Sequence, residues 1–354
     1  MMSETNVQLV DWQVLKRFSQ AVFEKLGVPQ EDAELTADTL VMANLRGVDS
    51  HGVIRLKVYS QRIKGGGVSI TAPIDIVQET PASALMDGGA RLGQVVAVKA
   101  IELAMAKAKE VGAGVVAVRN GSHLGACAYF PMLALEEDMV GVTLSNSLAT
   151  MVAWGGLERV LGNNPFALAI PAGEERPIVL DMACGTVAWG KVFVAAQKGE
   201  SIPGDWVLDK EGDPTTDPQR AWEGGFMLPF GQHKGYGISL VVNILTGLLS
   251  GGSVSTEIVD MYSDLARPQD VCYLMGALDI ARFVPLEQFK SRMDELIRTM
   301  RGSKKREGVE RIYVPGEKEF LEEEKRRKEG IPLPVAQIAE FKKMAQELDL
   351  EAPF

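Results

Sequence analysis

The sequence predicts an α/β fold with a central α/β domain and a discontinuous helical domain formed by both chain ends. Two observations predict it. Apolar residues recur with helical spacing near both termini, whereas the middle of the chain alternates short apolar runs with helical segments. We therefore expect residues 1–75 and 255–354 to form the helical domain, and residues 76–254 to form the α/β domain.

Three helices are predicted in the first part of the chain, each with a favourable first residue and a glycine at its end. They span residues 11–27, 29–47 and 50–67. The first begins at a capping Asp11, and the third begins near a capping Ser50 and stops at three consecutive glycines. Helices return near the end of the chain, at Pro285–Met300, Lys318–Lys328 and Val335–Leu348.

The middle of the chain contains five short apolar runs that predict strands. They are Ala84–Met86, Val115–Val118, Val140–Leu144, Phe166–Ile170 and Ile178–Leu180. Helices are predicted between and after them, at Gln94–Val111, Ala126–Glu137 and Lys234–Leu249. The last of these helices is strongly apolar, and we expect it to be buried.

Composition excludes several classes of protein. A formal net charge of -10 over 354 residues argues against broad binding to nucleic acid or anionic membrane. The sequence shows neither a signal peptide at its start nor an apolar run of about 18 residues, the length that a membrane span needs. Three widely spaced cysteines indicate reduced thiols, and we expect a cytoplasmic protein.

Only three histidines occur, and each lies in a glycine-framed segment. His51 follows Ser50 and precedes Arg55 by four residues, which would put an imidazole and a guanidinium on one helix face. A carboxylate could then be held by Arg55 while His51 faces the neighbouring carbon. The alternative is that His51 is a polar helix start and Arg55 a surface cation.

His123 follows the predicted strand Val115–Val118 directly. Two other predicted strands also end in polar groups, at Ser145–Ser147 and at Asp181. If these strands run in parallel, all three loops open at one edge of the sheet, where α/β proteins place their ligands. Ordinary turn chemistry is the alternative for any single loop, but together with His123 they favour a functional site.

His233 lies in a third segment, Gly231–Gly237, which leads into the apolar helix. Glycines before a helix let backbone donors approach an anion, and Lys234 adds positive charge suited to phosphate. No Walker loop, Gly-x-Gly-x-x-Gly fingerprint or Gly-x-Ser-x-Gly elbow is present. We therefore expect neither a Rossmann site nor a serine hydrolase. The spacing of the histidines also predicts no metal site.

Taken in order, these motifs resemble the type 2 malate/lactate dehydrogenase family. This family includes malate, L-lactate, ureidoglycolate and sulfolactate dehydrogenases and cyclic-imine carboxylate reductases. The matching stretches are Arg46–Arg55, Gly121–Tyr129, Gly162–Pro165, Asp181–Lys191, Leu228–Gly237 and Val314–Glu317. Each motif is moderately specific, but the set covers nearly the whole chain in the family's order.

The resemblance implies a non-Rossmann NAD(P)-binding fold, usually dimeric, with an active site between domains. It implies that His51 or His123 exchanges the substrate proton, with Ser50 part of a relay in one branch of the family, and that Arg55 grips the carboxylate. Asn163 would lie next to the substrate. The implied NAD or NADP contacts are Ser147, Asp181, Met182, Ala183, His233, Lys234, Pro315, Gly316 and Glu317.

Two departures from the family bear on the activity. Asn163 stands where the family usually has threonine, so substrate specificity could differ. Lys191 stands where the imine-reductase branch carries an aspartate, which counts against that activity. We therefore expect hydride transfer between a nicotinamide and a small anionic 2-hydroxy or 2-oxo acid. A cyclic-imine reductase and a nucleotide-binding sensor without turnover are the alternatives.

Overall fold

The computed structural model describes residues 7–187 and 189–354. Its strands are β1 (Val7–Val10), β2 (Asp75–Glu79), β3 (Ser83–Asp87), β4 (Ala113–Gly121), β5 (Met139–Ser145), β6 (Ala149–Val152), β7 (Arg159–Gly162), β8 (Phe166–Ile170), β9 (Ile178–Met182), β10 (Val207–Leu208), β11 (Phe226–Met227), β12 (Val271–Asp279) and β13 (Ile331–Pro334). Its α-helices are α1 (Trp12–Lys25), α2 (Gln30–Leu45), α3 (Leu56–Gly65), α4 (Gly93–Val111), α5 (Tyr129–Leu133), α6 (Trp189–Lys198), α7 (Pro218–Trp222), α8 (His233–Asn243), α9 (Leu286–Gly302), α10 (Glu317–Glu329) and α11 (Val335–Leu348). The predicted mixture of helices and strands is thereby confirmed.

The two ends of the described chain pack together. Strand β1 pairs with β13 in antiparallel register, from Val7 opposite Pro334 to Val10 opposite Ile331. Helices α1, α2, α3 and α11 share one apolar core beside this ribbon. Asp11 caps α1 as expected, since its carboxylate accepts from the backbone N–H groups of Gln13 and Val14. Leu92 and Val95, at the start of α4, belong to the same core, so these helices pack against the helix that adjoins the central sheet.

A seven-stranded sheet forms the centre of the molecule, in the order β2-β3-β4-β12-β5-β8-β9. Only β3 and β4 pair in parallel; every other neighbouring pair in this sheet is antiparallel. Strands β4, β5 and β9 nevertheless run in the same direction, because an antiparallel strand separates each from the next. Their carboxyl ends therefore open at one edge, as the predicted clustering of loops requires.

Strand β12 departs from the predicted layout. It lies between β4 and β5 although it belongs to residues 255–354, which we expected to be helical. Its apolar run is buried on nearly every residue, so it lacks the alternation that marks a half-buried strand. The sheet is thus completed by a segment from beyond the predicted boundary at residue 254.

The apolar helix predicted at Lys234–Leu249 is present as α8 followed by a π-helical turn, Ile244–Leu248. We expected this helix to be buried, but it is not buried on all sides. Several aliphatic side chains on this segment are exposed, namely Ile238, Leu240, Val241, Ile244, Leu245, Leu248 and Leu249. The periodicity of a uniformly apolar helix gives no indication of which face meets the core, and here one face is left open.

A smaller, four-stranded sheet, in the order β10-β11-β6-β7, lies beside α6 and α7. A cavity of about 920 Å³ lies at this sheet and borders the segment that leads into α8. Within the described residues, no helix has the length and apolar character that crossing a membrane requires.

Candidate active site

The loop that carries His123 is held by the two residues just before β12, the strand that the sequence did not predict. Just before β12, the side chain of Gln269 accepts from the backbone N–H of His123 at 3.1 Å. The carboxylate of the next residue, Asp270, accepts from the backbone N–H groups of Asn120 at 2.5 Å and Ser253 at 2.8 Å. These bonds hold the end of β4 in a defined position at the sheet edge.

Two short 3-10 turns, Asp49–His51 and Val53–Arg55, carry the other candidate residues. The expected capping role of Ser50 is wrong: its side chain caps no helix, and its Oγ lies 2.9 Å from Nδ1 of His51 instead. Asn44 on α2 braces the turns, because its side-chain oxygen accepts from the N–H of Val53 at 2.8 Å. Gly52 is required there, since a Cβ would overlap the Asn44 side chain.

The two imidazoles lie against each other. The ring centroids of His51 and His123 are 5.6 Å apart, with the rings nearly parallel. The hydroxyl of Tyr59, a buried residue of α3, lies 2.6 Å from Nδ1 of His123. Gln94 on α4 donates through Nε2 to the Tyr59 oxygen at 3.2 Å. The site therefore contains a chain of polar groups that runs from α4 through α3 to His123.

The hydrogen bonds around His123 define its tautomer. The backbone N–H of Gly125 donates to Nδ1 at 3.3 Å, and a backbone N–H can act only as a donor. Nδ1 is therefore an acceptor, and the Tyr59 hydroxyl also donates to it. The neutral ring carries its proton on Nε2, the nitrogen that is left to meet a substrate.

Burial and positive charge keep both imidazoles neutral. Burial, reinforced by the charge of Arg55, lowers the pKa of His51 to about 4. Burial and the charges of Arg55 and His51 hold the pKa of His123 well below its usual value. Burial also raises the pKa of Tyr59 to about 12, which keeps the phenol protonated. At neutral pH the three groups form an uncharged cluster beside one guanidinium.

Arg55 lies at the mouth of this cluster. Its Nε donates to the carbonyl oxygen of Ser50 at 2.7 Å, and its Nη1 donates to the hydroxyl of Tyr262. The guanidinium carbon lies 5.9 Å from the centroid of the Tyr262 ring. The position suits a carboxylate-binding role, because the cation is partly exposed and lies close enough for its charge to act on both imidazoles.

The predicted nucleotide-binding segments adjoin one another. The backbone N–H of Val179 on β9 donates to the carbonyl of Pro315 at 3.1 Å, which sets residues 315–317 beside Asp181–Ala183. On the other side, the N–H of Phe230 donates to the carbonyl of Cys184 at 2.9 Å. Residues 315–317, 181–184 and 228–234 thus form one continuous strip. His233 and Lys234 are exposed at its far end, at the start of α8.

The strip also connects to the histidine loop. The carboxylate of Asp181 accepts from the backbone N–H of Ala128 at 2.8 Å. Asp181 is partly open to solvent, but desolvation by the surrounding protein raises its pKa to about 6. Ser147 Oγ donates to the side-chain oxygen of Asn163 at 2.8 Å, and Cys184 N–H donates to the Asn163 carbonyl at 2.6 Å. The structure therefore brings Ser147, Asn163 and Asp181 together with the strip.

Glu317 is placed differently from the other residues in the strip. It is only 2 % exposed, and its carboxylate accepts from Arg301, Arg311 and the N–H of Val314. Burial opposes its ionisation, but the backbone donor and the two arginines hold the pKa of Glu317 below its usual range. Gly316, in a left-handed conformation, packs so closely on Val179 that a Cβ would lie 2.8 Å from it. Glu317 thus fixes the 315–317 segment against β9.

Four residues of the site were not singled out from the sequence: Tyr59, Gln94, Tyr262 and Gln269. Tyr59 falls in the apolar stripe of the third predicted helix, which indicates burial but not where its hydroxyl points. Gln94 could have been found from the sequence, because it starts an otherwise apolar helical segment. A glutamine buried in such a segment, as this one is, needs polar partners. The loop residues carry no such signal. Among the described residues, no cluster of histidine, cysteine and carboxylate side chains suits a metal ion.

Comparisons with known proteins show which chains this one is similar to. The sequence matches the malate/L-lactate dehydrogenase family over residues 10–342. It is 42% identical to the malate dehydrogenase of Pyrococcus horikoshii, over 94% of each chain. The structure superposes on the sulfolactate dehydrogenase of Methanocaldococcus jannaschii with a TM-score of 0.93 at 39% identity, over 98% of each chain. A Δ1-pyrroline-2-carboxylate/Δ1-piperideine-2-carboxylate reductase of Pseudomonas putida is 31% identical over 97% of this chain and 98% of its own.

Proposed function

The chain belongs to the malate/L-lactate dehydrogenase family, and from this premise we propose that it is an NAD(P)-dependent oxidoreductase of small 2-hydroxy and 2-oxo acids. One observation carries the proposal: Arg55 lies beside two neutral imidazoles at the edge where β4, β5 and β9 end. A cation that can hold a carboxylate, next to a group that can exchange a proton, is what reversible reduction at C2 of a 2-oxo acid requires.

Arg55 supplies orientation. Its Nε is engaged by the Ser50 carbonyl, so its outer nitrogens are the ones that face a ligand. A substrate carboxylate held there directs C2 and its oxygen towards the imidazoles, and the bound cofactor supplies the hydride acceptor or donor. Placing the reacting groups in this way lowers the barrier without any bond chemistry at Arg55. Asn163 is the proposed neighbour of the other substituent on C2.

We assign the proton to His123 rather than His51. In the direction of reduction, Nε2 of His123 gives its proton to the substrate oxygen while Nδ1 takes the proton of Tyr59. The ring stays neutral throughout, which suits a site where Arg55 disfavours an imidazolium. Burial disfavours the Tyr59 phenolate that this transfer leaves, and the charge of Arg55 offsets part of that cost. A proton from solvent then restores the phenol before the next turnover. Oxidation of the hydroxy acid is the reverse of these steps. A relay from Ser50 through His51 is the competing assignment.

The residues of the strip fit a nicotinamide dinucleotide. The glycine-bounded start of α8 offers backbone donors, and Lys234 offers positive charge, both of which suit phosphate oxygens. We propose that Ser147, Asp181, Met182, Ala183, His233, Lys234, Pro315 and Gly316 contact the cofactor, and that Glu317 holds their segment in place. Either NAD or NADP is compatible with this set of residues.

A panel of substrates tests the proposal directly. Malate, lactate, sulfolactate, ureidoglycolate and the corresponding oxo acids should give turnover with the matching oxidised or reduced cofactor, read as the change in nicotinamide absorbance. The cyclic imine Δ1-piperideine-2-carboxylate should be a poor substrate, since Lys191 replaces the aspartate of the imine reductases. Cofactor binding without turnover of any acid would contradict the proposal and favour a sensor.

We also propose a homodimer in the cytoplasm. The exposed aliphatic side chains of α8 and its π-helical turn, from Ile238 to Leu249, form an apolar face of the kind that a second copy covers. Light scattering should give twice the chain mass, and Val241→Glu with Leu248→Glu should give a monomer. A double variant that stays dimeric would show that the interface lies elsewhere. The three buried free cysteines suit a reducing compartment.

A further inference from the structure

The loop that leads from Asp260 towards β12 is held more firmly than a surface loop needs to be. We call residues 260–268 the Tyr262 loop. At its base, the N–H of Val259 donates to the carbonyl of Gln269 at 3.2 Å, and Gln269 in turn holds the His123 loop. Within it, Asp260 accepts from the N–H of Tyr262 at 2.8 Å. The position of Tyr262 is therefore tied to that of His123.

Arg62 fastens the same loop to α3. This arginine is 1% exposed, and it donates to the carbonyls of Asp264 at 2.5 Å, Arg267 at 2.7 Å and Gly67 at 3.0 Å. Burying a guanidinium is costly unless its hydrogen bonds are made, so these contacts are strongly maintained. Because α3 also carries Tyr59 and follows directly on Arg55, one helix sets the positions of Tyr59, Arg55 and the Tyr262 loop.

The glycines at the end of α3 end the helix and also leave room for the Tyr262 loop. A Cβ on Gly65 would lie 2.6 Å from the carbonyl oxygen of Leu265, and a Cβ on Gly67 would lie 2.5 Å from it. The N–H of Gly67 donates to that same oxygen at 3.0 Å. Glycine is needed at these positions because the Tyr262 loop approaches the helix end so closely.

The result of this anchoring is that the Tyr262 hydroxyl is presented to Arg55, from which it accepts a hydrogen bond. A phenol oxygen that accepts from a guanidinium keeps its own proton to donate. Tyr262 is 60% exposed, so a small ligand can reach it from solvent. Arg55 and Tyr262 together offer an N–H and an O–H donor to one anion.

We propose that Tyr262 is a substrate-positioning residue, whose hydroxyl donates to the substrate carboxylate while Arg55 holds it. The inference rests on the proposed function and deepens it by naming a second group that binds the substrate carboxylate. In the free protein the phenol occupies Arg55, and the incoming carboxylate displaces it from the guanidinium and accepts its proton in a hydrogen bond. The two donors fix the rotation of the acid about its bond to C2.

The test is Tyr262→Phe, which removes the hydroxyl and keeps the ring. We expect the KM for the 2-oxo acid to rise about 10-fold or more, as expected for losing a hydrogen bond to a charged group. The kcat should stay within about threefold, since no proton passes through Tyr262. Thr80→Val is the control, because it removes an exposed hydroxyl that bonds Ser83 in the turn between β2 and β3, away from the site. It should leave both constants unchanged.

Calorimetric titration with oxamate, an unreactive 2-oxo acid analogue, in the presence of reduced cofactor separates binding from turnover. The Kd for oxamate should rise about 10-fold in Tyr262→Phe, with an unchanged cofactor Kd and melting temperature. An unchanged oxamate Kd would overturn the inference, and so would a fall in kcat at constant KM. If the wild-type protein bound oxamate but reduced no 2-oxo acid, the proposed function would fail while the role of Tyr262 in carboxylate binding would still be tested.

Discussion

The hydroxyl of Tyr59 lies 2.6 Å from Nδ1 of His123, and the N–H of Gly125 donates to the same nitrogen. The two donors fix the neutral imidazole with its proton on Nε2. Gln94 holds the phenol in place, because its Nε2 donates to the Tyr59 oxygen at 3.2 Å. This relationship gives His123 a proton to donate and a nearby source that replaces it, whereas the group that lies against Nδ1 of His51 is the Ser50 hydroxyl.

Replacing Tyr59 with phenylalanine should therefore lower kcat by roughly 10- to 100-fold, the scale of a positioned proton-transfer group. The KM for the acid should change little, because Arg55 is intact. Thr80→Val, in the turn between β2 and β3, provides the control for loss of a hydroxyl away from the site. Steady-state kinetics in both directions would measure the effect, and a fully active Tyr59→Phe would rule out the transfer through Tyr59.

The two histidines should differ in the same assay. His123→Ala should reduce kcat by about 100-fold or more. His51→Ala should cost less, because this ring packs against His123 without carrying the proton. The opposite ranking would assign the proton to His51 and the relay to Ser50.

Arg55→Gln should raise the KM for the 2-oxo acid by roughly 100-fold, since a charge-assisted pair of hydrogen bonds is lost. Arg55→Lys should recover only part of the affinity, because an ammonium does not match the two oxygens of a carboxylate. Arg282→Gln is a suitable control: Arg282 binds the carbonyl of Lys109 at the end of α4. Equal KM values in Arg55→Gln and the wild-type protein would place the carboxylate elsewhere.

The pH profile should lack an imidazole titration near neutrality. The pKa of His51 is lowered to about 4 and that of His123 lies well below its usual value, so both rings stay neutral from about pH 5.5 to 8. We expect kcat/KM for reduction to be flat from about pH 7 to 8, because below that range Asp181 in the proposed cofactor strip, with a pKa of about 6, also titrates. In Arg55→Gln the imidazole pKa values should rise, because a positive charge that lowers them is gone. An inflection near the ordinary imidazole pKa of about 6.5 that persists in Asp181→Asn would indicate an imidazolium acid instead.

The same shifts make a prediction for stability. Unfolding frees His51 to bind a proton with an ordinary pKa near 6.5, whereas the folded pKa is about 4. The unfolded state therefore binds more protons in this window, and the free energy of unfolding should fall as the pH drops from about 6.5 to 4. His51→Gln should reduce this fall, measured by urea titrations across the range. A parallel pH dependence in both proteins would contradict the shift.

Gly93, the first residue of α4, tests how the His123 loop is held. A Cβ there would lie 2.6 Å from the carbonyl oxygen of His123. Gly93→Ala should destabilise the protein by about 1–3 kcal/mol, as overpacking does, and should lower kcat by displacing the loop. Gly302→Ala, where a Cβ would meet nothing within 4 Å, should leave activity unchanged. Thermal melts and kinetics of the pair would measure both effects.

The sequence was informative where local chemistry decides the structure. Asp11 caps α1, Phe166–Ile170 and Val335–Leu348 have the predicted bounds, and the resemblance to the family is confirmed. The capping role predicted for Ser50 was wrong, because the chain turns at Gly52 and the α-helix begins only at Leu56. The Ser50 hydroxyl bonds the His51 ring instead. Tyr59 and Tyr262 could not be placed, since the direction of a hydroxyl depends on packing between segments that are distant in the chain. The same holds for β12, whose partners lie far before it.

The position of β12 also affects how the protein is made. The bond between Asn120 and Asp270 joins residues 150 apart, so β4 leaves the ribosome long before the strand that completes its edge. At about 5–20 residues per second, β4 waits on the order of 10 seconds for its neighbour. During that time the apolar strands β4 and β5 lack their central partner, and the nascent chain depends on protection from aggregation. A chain released early, before Val271, lacks the strand that pairs with both β4 and β5 and so joins the two halves of the sheet.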